Sequence, residues 1–558
     1  MKKSSPSIHL SLIAFIVICS SFSLFNAASS DKHEEFLQCL LHHSPHSSSI
    51  AKLIYTQNNS SYSSVLNLSI RNHRFSTPNT PKPILIITPS NISHIQAAVI
   101  CSKSQGLQIR IRSGGHDFEG LSYVAYLPFI VVDLINLRSI TVDVKRRTAW
   151  VQSAATLGEL YYRIAEKSPT LTFPGGACPT VCFGGYLSGG GYGLLLRKYG
   201  LAADNVIDAY LVDANGEFHD RESMGEDLFW AIRGGGGGSF GIVVAWKVKL
   251  VPVPATVTFC SSSRTFEEDA INLIHQWQYV GYKLEKNIAH GVLTIGGQMT
   301  SEVDGKVKPV AIFYTSFLGK ANKAVKILKE KFPQLGLKKE ECKEASWVES
   351  VVIAANDFTV GEPVEALLNR SALIPPITSK KVKIKSDYVK EPMPKVAIEG
   401  IWNRVNNSQD IGGINVLFVP YGGRMSEISE SEISFSHRAG NLFKIAYLTG
   451  WEDPSMDVET RHLNWIREIY SYMAPFVSKS PRSAYVNYRD LDIGSNSDKY
   501  GNIVTNHDQA SSWGLKYYGN NFNRLVQIKT KVDPYNFFRH EQSIPIALSQ
   551  EDNLVKLV

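Results

Sequence analysis

Between Phe173 and Gly193 the chain reads FPGGACPTVCFGGYLSGGGYG, eight glycines and two cysteines in twenty-one residues. Backbone this bare of side chains approaches a flat or anionic partner closely. It does not form a long helix or a regular central strand. The stretch holds two loops, PGGACP and GGYLSGGGYG, and two more follow the same pattern: RIRSGGHDFEG (Arg110–Gly120) and AIRGGGGGSFGIV (Ala231–Val243). None is a phosphate loop of the Gly-Lys-Ser/Thr type, and GGYLSGG lacks the strand–turn–helix setting of a dinucleotide fingerprint. Four such loops point to a cradle for a large phosphate-bearing cofactor held by another fold. His116 and Cys178 sit inside these loops.

The 558 residues, 44% hydrophobic and 20% charged, suffice for two to four lobes. A net charge of +7 is small for this length, and no arginine stripe with interleaved aromatics points to nucleic acid. The lysines Lys380, Lys381, Lys383 and Lys385 read as a solvated strand or loop edge. Lys2 and Lys3, the apolar run Leu10–Cys19 and the small residues Ala27 and Ala28 read as a secretory signal over 1–28, too short to span a bilayer. A soluble, monomeric exported protein is expected, extracellular in the cell wall or vacuolar, with no membrane contact after cleavage. Glycosylation sequons at Asn58, Asn59, Asn67, Asn91, Asn369 and Asn406 fit that route. Six cysteines remain beyond Cys19; their spacing shows neither a zinc site nor a dense disulfide framework.

From Lys82 short apolar runs alternate with helical stretches. PILIITP, LQIRIRSGG, FIVVDLINL and TAWVQSAA read as strands. ISHIQAAVICSKSQG reads as a helix, and TLGELYYRIAEKS as a helix opened by Thr156 with Glu159 three residues on. The prolines of LVPVPATV end this region. Beyond it, TFEEDAINLIHQWQYVGYKL and ANKAVKILKEKF are helical, while IAHGVLTIGGQMT, KPVAIFYTSF, INVLFVPYGG and FKIAYLTGW are strand-like. Helices on one face of an antiparallel sheet is the economical arrangement. The stretch SSWGLKYYGNNFNRLVQIKTKVDP reads as helical.

RSGGHDFEGLSY, CPTV with SGGGYG, RKYGLAADNV, LFWAIRGGGGGSFGIV, HLNWIREIY, YVNYRDLDIG and VDPYNFFRHEQSIP occur in this order over nearly the whole mature chain. Together they resemble the plant berberine bridge enzyme-like flavoproteins. The resemblance implies an α+β chain with a two-lobed FAD-binding domain of the PCMH type over 29–255 (core about 79–254), then an antiparallel-sheet substrate domain over 256–481 covered by helices. A C-terminal segment, 482–558, then returns to the FAD domain. It implies FAD attached twice, at His116 and Cys178, with further cofactor contacts from Arg112, Ser113, Gly114, Gly115, Val181, Gly189, Gly190, Gly241 and Asn536. It also implies a Cys39–Cys101 disulfide. The residue types agree with the linkage, since imidazole and thiolate are nucleophiles and an oxidised flavin is electron-poor.

The implied reaction is hydride transfer from a small-molecule substrate, an alcohol or activated C–H of a plant metabolite or saccharide, with O₂ reduced to H₂O₂. Tyr488 matches the family's base, with Tyr485 and Tyr192 in support; Val181 marks an oxidase. Several positions depart from the pattern. Phe118 replaces a tyrosine, Tyr186 a histidine, and Leu417 and Asn415 fall where a glutamine and lysine are common. No carboxylate lies in NVLFV, and Glu427 reads as structural. Lys444 either faces the pocket near Tyr488 or lies in water on an alternating strand. Cys182 reads as a small buried thiol, and the pairing of Cys260 and Cys342 stays open. The departures leave two alternatives: a cyclase or cycloaddition catalyst that retains flavin without net redox, and a dehydrogenase with a non-oxygen acceptor.

Overall fold

The first glycine loop ends the strand Gln108–Arg112 and the last leads into the strand Ile242–Lys249, and these two strands belong to two small sheets. The computed structural model describes residues 34–44, 47–296, 308–356, 361–373, 380–408, 411–498, 503 and 507–547; the expected signal, 1–28, lies outside them. In the first sheet Leu85–Ile87, Phe129–Asp133 and Gln108–Arg112 run parallel, with Ile54–Thr56 antiparallel at one edge. The helix Ile92–Ser104 makes the crossover, as a parallel pair requires. The second sheet is five-stranded and antiparallel, in the order Ile140–Asp143, Thr148–Gln152, Ile242–Lys249, Val206–Val212, Phe218–His219. Beside it the helix Leu157–Ala165 starts in a capping box between Thr156 and Glu159.

The third sheet has seven antiparallel strands in the order Cys342–Ala345, Val257–Arg264, Val310–Phe317, Ile288–Gly296, Ile414–Pro420, Phe443–Trp451, Lys381–Val389. One face, with Val292, Phe313, Val416, Phe418 and Ile445, packs on the helices Ala270–Val280, Lys395–Asn406 and Met456–Met473. The opposite face closes over the glycine loops. Cys260 and Cys342 lie opposite each other on neighbouring strands and form a disulfide, as do Cys39 and Cys101. The helix expected near the C-terminus is two helices, His507–Tyr518 and Phe522–Val532, parted where Gly519 takes φ +51°.

One expectation fails here, and the side chain of Arg112 is engaged within the fold. The lysines of Lys381–Val389 are not solvated: Lys383 and Lys385 are 2% exposed although the strand is the sheet's edge. The C-terminal segment covers that edge, so the charges face carboxylates rather than water. Arg112, expected at the cofactor, is structural. Its guanidinium donates to the carbonyls of Leu66 (2.6 Å) and Val65 (2.9 Å) and pairs with Asp133 at 2.6 Å, with both charged side chains fully buried. Removing one partner of such a pair costs about 3–5 kcal/mol. Arg112→Met should therefore lower Tm markedly while the FAD content of the folded fraction stays at the wild-type level; loss of FAD from protein with an unchanged Tm would return Arg112 to the cofactor site.

Candidate functional site

All four glycine loops meet at one cavity of about 670 Å³, walled on the other side by the seven-stranded sheet. Ser113, Gly114 and Gly115 line it with Gly176, Gly189 and Gly241. Two contacts make the convergence possible. Gly115 has φ +67°, and a Cβ there would lie 1.6 Å from the Ser69 carbonyl oxygen. A Cβ on Gly193 would lie 1.8 Å from the Gly175 carbonyl oxygen. Only glycine allows either approach.

Two nucleophiles open on this cavity. His116 Nε2 lies 3.1 Å from the Thr180 carbonyl oxygen. A carbonyl only accepts, so Nε2 carries the hydrogen and the Nδ1 lone pair is free. Burial, reinforced by the Arg71 charge, pulls the imidazole pKa down to about 3, so it is neutral near pH 7. Cys178 reaches open space within the cavity, but the surrounding protein raises its thiol pKa. Cys182 also touches the cavity. It is 4% exposed, its Sγ donates to the Ala154 carbonyl at 3.3 Å, and burial raises its pKa to about 12. Of the two thiols, Cys178 is the accessible one.

Tyr192, Tyr485 and Tyr488 form a cluster at the inner end, their ring centroids 5.1–6.0 Å apart. The Tyr192 and Tyr488 hydroxyls share a short hydrogen bond. The Tyr485 hydroxyl accepts from the Gly191 amide (3.2 Å) and from Asn487 Nδ2 (3.0 Å). Phe118 meets Tyr488 edge-on at 5.9 Å. Lys444 is fully buried against this cluster, its Nζ 3.2 Å from the Tyr192 ring centre and 4.3 and 4.4 Å from those of Tyr485 and Tyr488. The amine has no hydrogen-bond partner among the described residues. Burial lowers its pKa well below the usual lysine value and raises that of Tyr488.

The solvent-facing alternative for Lys444 is thus excluded. It lies opposite Val419 and Tyr388 in the sheet, two residues before Ala446, which pairs with Leu417. Leu417, Asn415 and Val419 line the cavity with Leu293, Ile295 and Leu448, so the sheet wall is mostly apolar. Asp117 is the one carboxylate among the lining residues, and it is paired with Arg489 at 3.2 Å. Val181 and Tyr186 also line the cavity. Gly190 and Asn536 do not: Gly190 packs against Phe435, and Asn536 closes a turn onto the Asp533 carbonyl at 2.9 Å. Arg110, not anticipated, lines the cavity, gives one nitrogen to Glu541 at 3.0 Å, and leaves Nε and Nη1 without partners among the described residues. Its alternation with Ile109 and Ile111 in the strand conceals this role. The sequon residues Asn58, Asn59, Asn67, Asn91 and Asn369 are exposed, and Asn406 is half-buried.

Residues 83–221 match the family model described as an FAD binding domain, and residues 484–545 the model described as berberine and berberine like. The cavity fits that cofactor: bare backbone on several sides, unpartnered Arg110 donors for an anion, and two nucleophiles at its rim. The protein is accordingly an FAD-linked oxidoreductase. The chain is 50% identical over 540 residues (96% of this chain, 98% of the relative) to tetrahydroberberine oxidase of Berberis wilsoniae. It matches the solved BBE-like #28 from Arabidopsis thaliana with a TM-score of 0.85 at 46% identity, covering 92% of this chain and 100% of that one. It also matches a grass pollen allergen with glucose dehydrogenase activity (TM-score 0.84, 45% identity, 92% and 100% covered), of which an isoleucine-to-valine variant is a glucose oxidase. The chain belongs to the berberine bridge enzyme-like family.

A buried amine without a partner costs about 1–3 kcal/mol. Lys444→Met, nearly isosteric, should therefore raise Tm; a lowered Tm would mean that the amine stabilises the fold.

Proposed function

We propose that the protein is an exported FAD oxidase that removes a hydride from an activated C–H or alcohol of an apolar aromatic metabolite, with FAD attached through His116 and Cys178. The observation that carries the substrate class is the sheet wall: Leu293, Ile295, Leu417, Val419, Ala446 and Leu448 face the cavity, with Asn415 the polar exception among these neighbours. A sugar would bring many hydroxyls to a surface with few partners for them. An aromatic ring system would bury that surface at about 25 cal/mol per Å². The tetrahydroberberine oxidase likeness points the same way.

When bound, FAD supplies the hydride acceptor and, by passing electrons to O₂, the source of H₂O₂. The chain supplies the proton chemistry. His116 is neutral and offers Nδ1; Cys178 offers the accessible sulfur. Tyr488 takes the substrate proton. Burial disfavours a phenolate and an ammonium separately, but Lys444 on the ring faces offsets both penalties when the phenol is ionised and the amine protonated together. Tyr192 holds the Tyr488 hydroxyl in place. An isoleucine-to-valine exchange separates dehydrogenase from oxidase in the pollen relative, and this chain has Val181 on its cavity wall. The disulfides and the exposed sequon residues support passage through the secretory route.

The test is H₂O₂ release with tetrahydroprotoberberine alkaloids, prenylated phenols, monolignols and mono- and oligosaccharides. Peroxide is expected from an apolar aromatic class; turnover of saccharides alone would overturn the substrate assignment. Flavin that photoreduces and reoxidises in air, with no peroxide from any class, would favour the non-redox alternative. Tyr488→Phe should slow anaerobic flavin reduction by about 10²–10⁴-fold, the usual worth of a positioned base. An unchanged rate would remove Tyr488 from that role.

A further inference from the structure

The lysines of the edge strand Lys381–Val389 find a use in the ion pairs around them. Lys383 Nζ, on a side chain 3% exposed, contacts a Glu119 carboxylate oxygen and lies 2.7 Å from Asp490 Oδ1. Lys385 Nζ takes the other Asp490 oxygen at 2.7 Å. Glu119 also accepts from the Leu491 amide at 3.3 Å. Glu119 is three residues beyond His116, and Asp490 two beyond Tyr488. One buried ammonium from the seven-stranded sheet therefore joins the His116 loop to the Tyr488 turn. A third tie, Asp117 to Arg489 at 3.2 Å, links the same two segments but is 14–21% exposed. Charge pairs weaken with solvent access, so the buried link dominates.

We propose that Lys383 is a positioning residue of the flavin site: by bridging Glu119 and Asp490 it fixes the His116 loop relative to the Tyr488 turn. The proposal rests on the roles given above to His116 and Tyr488. Its geometry is independent of them. The backbone of neighbouring Val382 is held by the Asn72 side chain at 2.9 and 3.1 Å, and the same Asn72 donates to the Phe118 carbonyl at 2.8 Å. Val382 and Ile384 line the cavity on the opposite face of the strand. Loop, turn and cavity wall are thus set by one strand, and Lys383 is its charged contact to both segments. Loss of the ammonium leaves Glu119 with Arg74 at 3.7 Å and Asp490 with Lys385. The folded chain keeps partners for both carboxylates, but between the two segments only the long Leu491 amide bond to Glu119 and the more exposed Asp117–Arg489 pair remain. An ångström-scale displacement of reacting groups costs roughly 10²-fold in rate.

The experiment uses the secreted holoprotein in a Cys178→Ala background, where His116 is the remaining tether. Covalent flavin is read as fluorescence of the acid-denatured band per folded protein, beside Tm and the anaerobic flavin-reduction rate. Lys383→Met should lower the covalent fraction severalfold and the reduction rate by roughly 10²-fold; Lys383→Arg should restore most of both. A merely structural lysine would shift Tm and leave the covalent fraction of the folded protein unchanged, and that result overturns the proposal. If Lys383→Met is not secreted folded, Glu119→Gln cuts the link from the loop side and carries the same two outcomes. A Cys178→Ala parent without covalent flavin would instead sink the His116 linkage itself, and the positioning role with it.

Discussion

Everything at the site depends on backbone meeting backbone without a side chain between. The Gly193 position presses on the Gly175 carbonyl, and Gly115 on the Ser69 carbonyl, at distances where any Cβ would overlap an oxygen. These contacts fold each loop tightly, and Gly114, where a Cβ would lie 2.9 Å from Cys182 Sγ, lets the loops of the first and second sheets meet at one cavity. His116 follows Gly115 directly, and Cys178 stands three residues after Gly175. The Thr180 carbonyl then fixes the imidazole hydrogen on Nε2, which leaves the Nδ1 lone pair free for the flavin linkage proposed above. Close approach and tautomer are therefore coupled. A loop pushed outward by one methyl group would lose the carbonyl that selects the reactive nitrogen.

The second constraint is an edge that is no longer an edge. Lys381–Val389 ends the seven-stranded sheet, where unpaired amides invite pairing with another chain. Here the outer side is taken by Asn72, by the Ser478 amide on the Tyr388 carbonyl at 2.8 Å, and by the Tyr485 amide on Ser386 Oγ at 2.9 Å. Asp387, fully buried, is held by two Arg482 nitrogens at 2.7 and 2.6 Å. The segment that supplies Tyr485 and Tyr488 is thus the same one that seals the sheet. Protection of the edge and placement of the tyrosines are one structural event.

That double duty explains what the sequence made legible. The capping box at Thr156, the parallel strands entering glycine loops, and the antiparallel strands INVLFVP and FKIAYLTGW are local patterns, and they hold. His116, Cys178, Val181 and the three tyrosines were readable from motifs, and one cavity brings them together. The failures come from burial that no local pattern records. Alternation leaves Lys444 two readings, pocket or water, and only the burial of Phe443–Trp451 on both faces decides for the pocket. The lysines of Lys381–Val389 were misplaced for the same reason, because their carboxylates arrive from Glu119 and from beyond residue 488. Arg112 and Arg110 alternate in one strand, and only their distant partners separate the structural guanidinium from the cavity-lining one.

The two buried lysine sites then show opposite uses of the same side chain. Lys383 and Lys385 meet carboxylates at hydrogen-bond distance, so their charges are compensated and their geometry is restricted. Lys444 meets only ring faces, and burial drives its pKa down. A compensated charge holds position; an uncompensated one is ready to change protonation state. A buried amine without a partner is unfavourable for folding, and it has a clear use only where a neighbouring phenol must ionise. Tyr488, the base proposed above, lies 4.4 Å from the amine to the ring centre and is bonded to Tyr192. Under that proposal the unpartnered amine stands beside the phenol whose ionisation its protonation would favour.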